Sequence, residues 1–466
     1  MSRDLLVWLA GVAVAALVLG LGIQPRPVYV LAVAAMVVSA ALVSRASGLS
    51  LSRLTVPAVW YLSYLAGTAI PAMFVVADKE SPYVAPYMFA VLMTLITAPV
   101  GMLLVNVASG FRREEVRIFY EAPLEQGNPQ PSEVAAYLAL LAVCLALTVG
   151  YVVETPVIPL LYLIRNPGSA AILVTLREES FKLLQSPFLY AYDVLRNVVY
   201  PFLIVLSLGY YLISRQRRWL ILFLITAVAG ILYAAFTIAK APVAVVMLVM
   251  VLFAYLYAGG QIRLRTVLTG VTAVFLFPLA VLLLSLSGLG VPMADILKAI
   301  FNRLFYLPAE ILYHYFVIVP DVIPYLYGRT IGRIQWILGG EGVDIANYVF
   351  QHVFPDRIST GVANTSFLGY LHADFGLPGI LLGGAVVGVL MQSIQVWLTR
   401  RPKTVVTLAA YSYLFWVAWK VNFQSLPQML LSGGVIVILS LVFALRLTRS
   451  FFRVATTPTG TETLQP

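Results

Sequence analysis

The sequence predicts an all-α polytopic membrane protein of about twelve transmembrane helices, arranged as one integral membrane domain over residues 1–466. Three observations predict it. The chain is 61% hydrophobic and only 11% charged, too apolar for a water-soluble core. Its apolar residues are gathered into windows of spanning length. Its arginines and lysines fall between those windows with a strong bias to one side.

The windows fall at 4–24, 27–44, 55–77, 84–109, 133–153, 197–214, 218–238, 241–259, 265–287, 378–399, 404–421 and 427–446. Unpaired backbone groups are too costly in hydrocarbon, and these runs are too long and uniform for barrel strands, so the spans are helical. The first, within MSRDLLVWLAGVAVAALVLGLGI, resembles a signal peptide. Its apolar part is long enough to span, and no clean small-x-small cleavage site follows, so it is read as the first helix. The single cysteine, Cys144, can form no intrachain disulfide.

With both termini placed on the cytoplasmic side, 17 of the 30 Lys and Arg residues lie in inner segments. Short outer turns hold 4: Arg26, Lys79, Lys240 and Lys420. That bias sets the orientation. The net charge of +10 then reports basic cytoplasmic loops, and no nucleic-acid partner is expected. The outer side collects most of the acidic residues beside the remaining cations, so the chemistry is expected there.

Two long outer loops contain short amphipathic helices. The first, 154–196, turns at Asn166-Pro167-Gly168. It continues as a helix lying at the membrane surface, with Leu173 on the apolar side and Arg177 on the polar side. Arg177 either snorkels to lipid phosphate or meets a ligand. The second loop, 287–377, is too long to be structureless and should fold onto the bundle. Residues 293–318 read as two short helices broken at Pro308. Glu310 and His314 are four apart, hence on one face. Arg303 shares that face only if the break is mild; an ordinary surface ion pair is the alternative.

Arg329 and Arg333, in YLYGRTIGRIQWILGG, are four apart and suit a diphosphate, because each guanidinium offers a planar fork of donors. Gly328 and Gly332 let the backbone approach a ligand. NTSFLGYLHADFG predicts a short outer helix capped by Asn364 or Thr365, ended by Gly376, with Pro378 opening the next span. Asp374 lies in its last turn, where the helix dipole disfavours a carboxylate. It therefore needs a partner: an arginine, a histidine such as nearby His372, or a substrate hydroxyl. Gly379, Gly383, Gly384 and Gly388 read as helix-packing positions. Lys240, at a tight outer turn, either snorkels or binds phosphate as a point charge. No Asp-x-Asp pair occurs and the three histidines lack zinc-site spacing, so no metal or other cofactor is expected.

The run NTSFLGYLHADFGLPGILLGGAVVGVL resembles the late segment of oligosaccharide repeat-unit polymerases, the Wzy-type O-antigen polymerases, a family related to O-antigen ligases. FNRLFYLPAEILYHYF resembles the helix opening that family's large outer loop, and FTIAKAPVAVVMLV its mid-chain basic hairpin. The resemblance covers roughly 195–445. It implies a GT-C-like glycosyltransferase of the cytoplasmic membrane, active on the outer face, that joins polyprenyl-diphosphate-linked oligosaccharides among membrane lipids. It also implies a chain-length regulator protein as a partner.

The residues fit that chemistry. Arg303, Arg329, Arg333, Lys240 and Arg177 are candidates to neutralise the diphosphate without metal. Asp374, Glu310, His372 and His314 are candidate bases, in that order. Tyr313, Tyr327, Trp336 and Asn364 are candidate sugar contacts. The competing reading is a lipid-linked oligosaccharide flippase. It calls for charges within the spans and small outer loops, neither of which the sequence offers. A ligase-like transferase is not separated from a polymerase by pattern alone.

Overall fold

The computed structural model describes residues 27–50, 53–125, 129–182, 188–261, 264–286, 290–331, 335, 340–355 and 361–455. The expected first span and the candidates Arg333 and Trp336 lie outside them. All regular secondary structure among the described residues is helical, with no strand. Ten of their helices are long and apolar enough to cross a membrane. These match the expected windows from 27–44 onward, with one exception.

The exception is the window at 404–421. It forms a helix of 16 residues, Val405–Lys420, of which 13 are buried. Continued by the 3₁₀ turn Val421–Phe423, it reaches about 30 Å, the thickness of the hydrocarbon core. It is the axis of the bundle rather than a lipid-facing wall.

The kinked helix Phe367–Thr399 meets it through Tyr411, whose hydroxyl donates to Gln395 at 2.8 Å. The helix breaks at Gly376, whose φ of 64° and ψ of −153° lie in a region essentially reserved for glycine. Pro378 opens the part that follows, as its position predicts. The cap lies one residue beyond expectation: Ser366 is the N-cap. Thr365 instead donates to the Pro308 carbonyl at 2.9 Å, tying this helix to the outer loop. Below the kink the helix lies backbone to backbone on Val84–Ser109. A Cβ on Gly388 would stand 1.8 Å from the Ala98 oxygen, and one on Gly101 would stand 2.1 Å from the Ala385 oxygen.

Three helices carry a π turn: Leu65–Ala69, Leu195–Val199 and Asn302–Tyr306. Each is followed two residues later by a proline: Pro71, Pro201 and Pro308. The residue before each proline donates its N–H to a carbonyl five back. A proline ring in a regular helix collides with the carbonyl four residues back, and widening the turn removes that collision. Residues 293–318 are therefore not two helices broken at Pro308, as expected, but one continuous helical rod.

The opposite end of the bundle is tied by a short amphipathic helix, Arg113–Glu121. Glu115 accepts from Arg400 Nε at 2.8 Å. Lys403, buried, donates to the carbonyls of Tyr120 and Ala122, both at 2.9 Å. Burial lowers the Lys403 ammonium pKa, while the guanidinium of Arg400 holds the Glu115 carboxyl below the ordinary range.

Candidate functional site

The first outer loop folds as two short helices, Pro159–Arg165 and Ala170–Lys182. The turn between them places Gly168 at φ 82°. Leu173 is buried and Arg177 exposed, the arrangement the amphipathic pattern predicts. Lys240 starts the helix Lys240–Tyr257 after a turn that puts Ile238 at φ 48°. Arg303 stands in the third π turn. These three segments bring their cations together: Arg303 and Arg177 both act electrostatically on Lys240. Lys240 also sits at the positive end of its helix dipole, and neither it nor Arg303 has a carboxylate partner among the described residues.

The π turn bears directly on this grouping. It inserts one extra residue between Arg303 and Glu310, turning Arg303 by about 100° relative to a regular helix. No ion pair forms between the two side chains. Glu310 lies about 10 Å further along the rod. It is half-buried and close enough to Tyr306 and Tyr87 to act on both hydroxyls. Tyr306 is held above its ordinary range by burial first, then by Glu310 and Asp78. His314 follows Glu310 by one turn on the same face. Burial, then Lys79 and His352, lower its pKa, so its imidazole is neutral at pH 7.

Asp374 and His372 have a different setting. The Asp374 carboxylate is 3% exposed. Oδ1 accepts from the backbone N–H groups of Gly328 at 3.0 Å and Thr330 at 3.2 Å, and Oδ2 accepts from the Thr330 hydroxyl. Tyr327 and Gly328 have φ of 50° and 88°, and the N–H groups on either side of Arg329 converge on one oxygen, as in an anion nest. The glycine-bearing turn expected to cradle a diphosphate thus holds the protein's own carboxylate. His372 is 4% exposed. Its Nε2–H donates to the Val319 carbonyl at 3.0 Å, and its ring stacks on Phe316 at 3.9 Å between centroids.

The remaining candidates are dispersed. Arg329 is exposed, with Nε donating to the Glu341 carbonyl at 3.3 Å, and is not among the charges acting on Lys240. Tyr327 is 75% exposed and open to a ligand. Tyr313 is buried, with the Lys79 ammonium 4.6 Å above its ring. Asn364 is exposed and accepts from the Tyr370 hydroxyl at 3.4 Å.

One charged group escaped the sequence reading. Arg196, 7% exposed, donates to Asp193 at 2.9 Å and to the Thr237 hydroxyl at 3.1 Å. Asn197 donates to the same Asp193 oxygen at 2.7 Å, and Asp193 and Arg196 both act on Lys420. Starting the span at 197 left these residues in a loop. Their i, i+3 and i+4 spacing was the available signal that the helix begins earlier.

Comparison with known proteins adds no family: no family model matches the chain, and neither the curated proteins nor the solved structures gave a match.

Proposed function

We propose that the protein is a membrane glycosyltransferase that polymerises polyprenyl-diphosphate-linked oligosaccharide repeat units at the outer face of the cytoplasmic membrane. The observation that carries this reading is the gathering of Arg177, Lys240 and Arg303 from three separate segments, with Glu310 about 10 Å further along the rod that carries Arg303. Such a group favours a multiply charged anion.

In the reaction, a hydroxyl of the incoming lipid-linked unit attacks the anomeric carbon of the growing chain. The bond from that carbon to the diphosphate oxygen breaks, and the lipid diphosphate leaves with its charge met by Lys240 and Arg303. The hydroxyl proton passes to Glu310, or to neutral His314 one turn away. Asp374, whose oxygens hold the 326–331 turn, supports the site as a positioning residue. Exposed Tyr327 offers a stacking face to a sugar.

The test uses purified protein in detergent with a defined polyprenyl-diphosphate oligosaccharide, followed on a gel. A ladder with released lipid diphosphate is expected. Lys240→Ala, Arg303→Ala and Glu310→Gln should each slow it about 100-fold or more without changing the thermal transition. An unaltered ladder in all three variants removes the site. No ladder, but transbilayer movement of the same lipid in liposomes, replaces the reading with transport.

A further inference from the structure

The last spanning segment is interrupted. Leu426–Leu430 stops, the chain turns through 431–434 with Gly434 at φ 91°, and a new helix starts at Val435. The Tyr413 hydroxyl donates to the Gly433 carbonyl at 3.1 Å, fixing the interruption level with the middle of Val405–Lys420. The helix from Val435 therefore begins partway through the bundle. Its residues Leu439 and Phe443 face the far half of the kinked helix, around Leu390 and Trp397.

The two helices do not close on each other. Between them lies a cavity of about 720 Å³, lined by Leu390, Ser393, Trp397, Arg401, Leu439 and Phe443 among others, a volume typical of small-molecule sites. Its walls are almost wholly apolar. Arg401 stands at one end, its guanidinium 5.5 Å from the centre of the Trp397 ring. That end belongs to the turn after Thr399, on the opposite side of the bundle from Lys240.

Two neighbouring arginines there behave differently. Arg400 is committed to Glu115 at 2.8 and 3.2 Å. Arg401 is exposed and has no carboxylate partner among the described residues. An apolar slot inside the bilayer, ending at an uncompensated cation beside an interfacial tryptophan, matches a molecule with one hydrocarbon tail region and one negative head.

We infer that the cavity is a binding site for an anionic phospholipid of the leaflet on the Arg401 side, with one acyl chain between the two helices and its phosphate on Arg401. The site is independent of the glycosyltransferase reading. By filling the gap it joins the interrupted last helix to the kinked one.

Native mass spectrometry of the detergent-purified protein tests this, after incubation with phosphatidylglycerol or phosphatidylcholine of identical chains. The wild type should retain phosphatidylglycerol in preference. Arg401→Gln should weaken that lipid's retention about fivefold and leave phosphatidylcholine unchanged. Ser393→Phe, which fills the slot, should abolish retention of both. Equal retention of the two lipids by the wild type, or an undiminished preference in Arg401→Gln, overturns the proposal. So does a dimer that Ser393→Phe converts to monomer with lipid retention unaltered, which would make a second copy the occupant. Unchanged elution and thermal transition of Arg401→Gln show that lost retention is not lost folding.

Discussion

Asp374 shows what a single residue can and cannot reveal in a sequence. A carboxylate in the last turn of a helix opposes the dipole, so a compensating partner was legible. The partner's identity was not, because it is the backbone of a turn 44 to 46 residues away. Removing the carboxylate orphans two N–H groups and a hydroxyl in a buried place. Asp374→Ala should cost about 1–3 kcal/mol, read as a lower thermal transition. Asp374→Asn keeps an acceptor for both N–H groups and should retain most stability and most chain extension, whereas Glu310→Gln should not extend. Full loss of extension in a well-folded Asp374→Asn would instead make Asp374 the base. Arg303 gives a second case: its seven-residue spacing from Glu310 was visible, but the extra residue of the π turn was not.

At the level of elements, apolar length located nearly every spanning helix, because burial and lipid exposure both demand it. Interruptions were harder. Gly376 was legible as a stop because Pro378 follows closely. Its Cβ would crowd the Tyr325 ring at 3.1 Å, and its backbone region excludes other residues. Gly376→Ala should therefore destabilise by about 1–3 kcal/mol, measured by thermal unfolding. Pro308 was misread as a break because a proline's effect depends on whether the preceding turn can widen, which local sequence does not state. Pro308→Ala removes the reason for the wide turn. The rod should stay folded while Arg303 swings off Lys240 and extension falls by up to about 100-fold; unchanged extension would detach the π turn from the site.

For the molecule as a whole, the described charges are arranged differently at the two ends of the bundle. At one end Lys240 and Arg303 have no carboxylate partner among the described residues; the other ties charges off in pairs such as Arg53–Glu121 at 2.7 Å and Arg400–Glu115. The second end has a predictable response to acid. The carboxyl of Glu115 is held below its ordinary value in the folded protein. Its contribution is thus complete above the unfolded-state value and disappears as pH falls through the folded one. Thermal transitions of wild type and Glu115→Gln should differ at pH 7 and converge as the medium is acidified below pH 4; a constant gap would remove the clamp.

The helix Val405–Lys420 has a consequence for how the chain is made. It has little surface to offer lipid, and it ends in a lysine within electrostatic reach of the buried Arg196. Left alone in a bilayer it would be a poor passenger. Its neighbours among the described helices, however, all precede it in synthesis except the last helix. It should leave the insertion machinery directly into a waiting protein-lined slot. Ribosomes stalled once Lys420 has cleared the exit tunnel should therefore already hold an almost complete bundle.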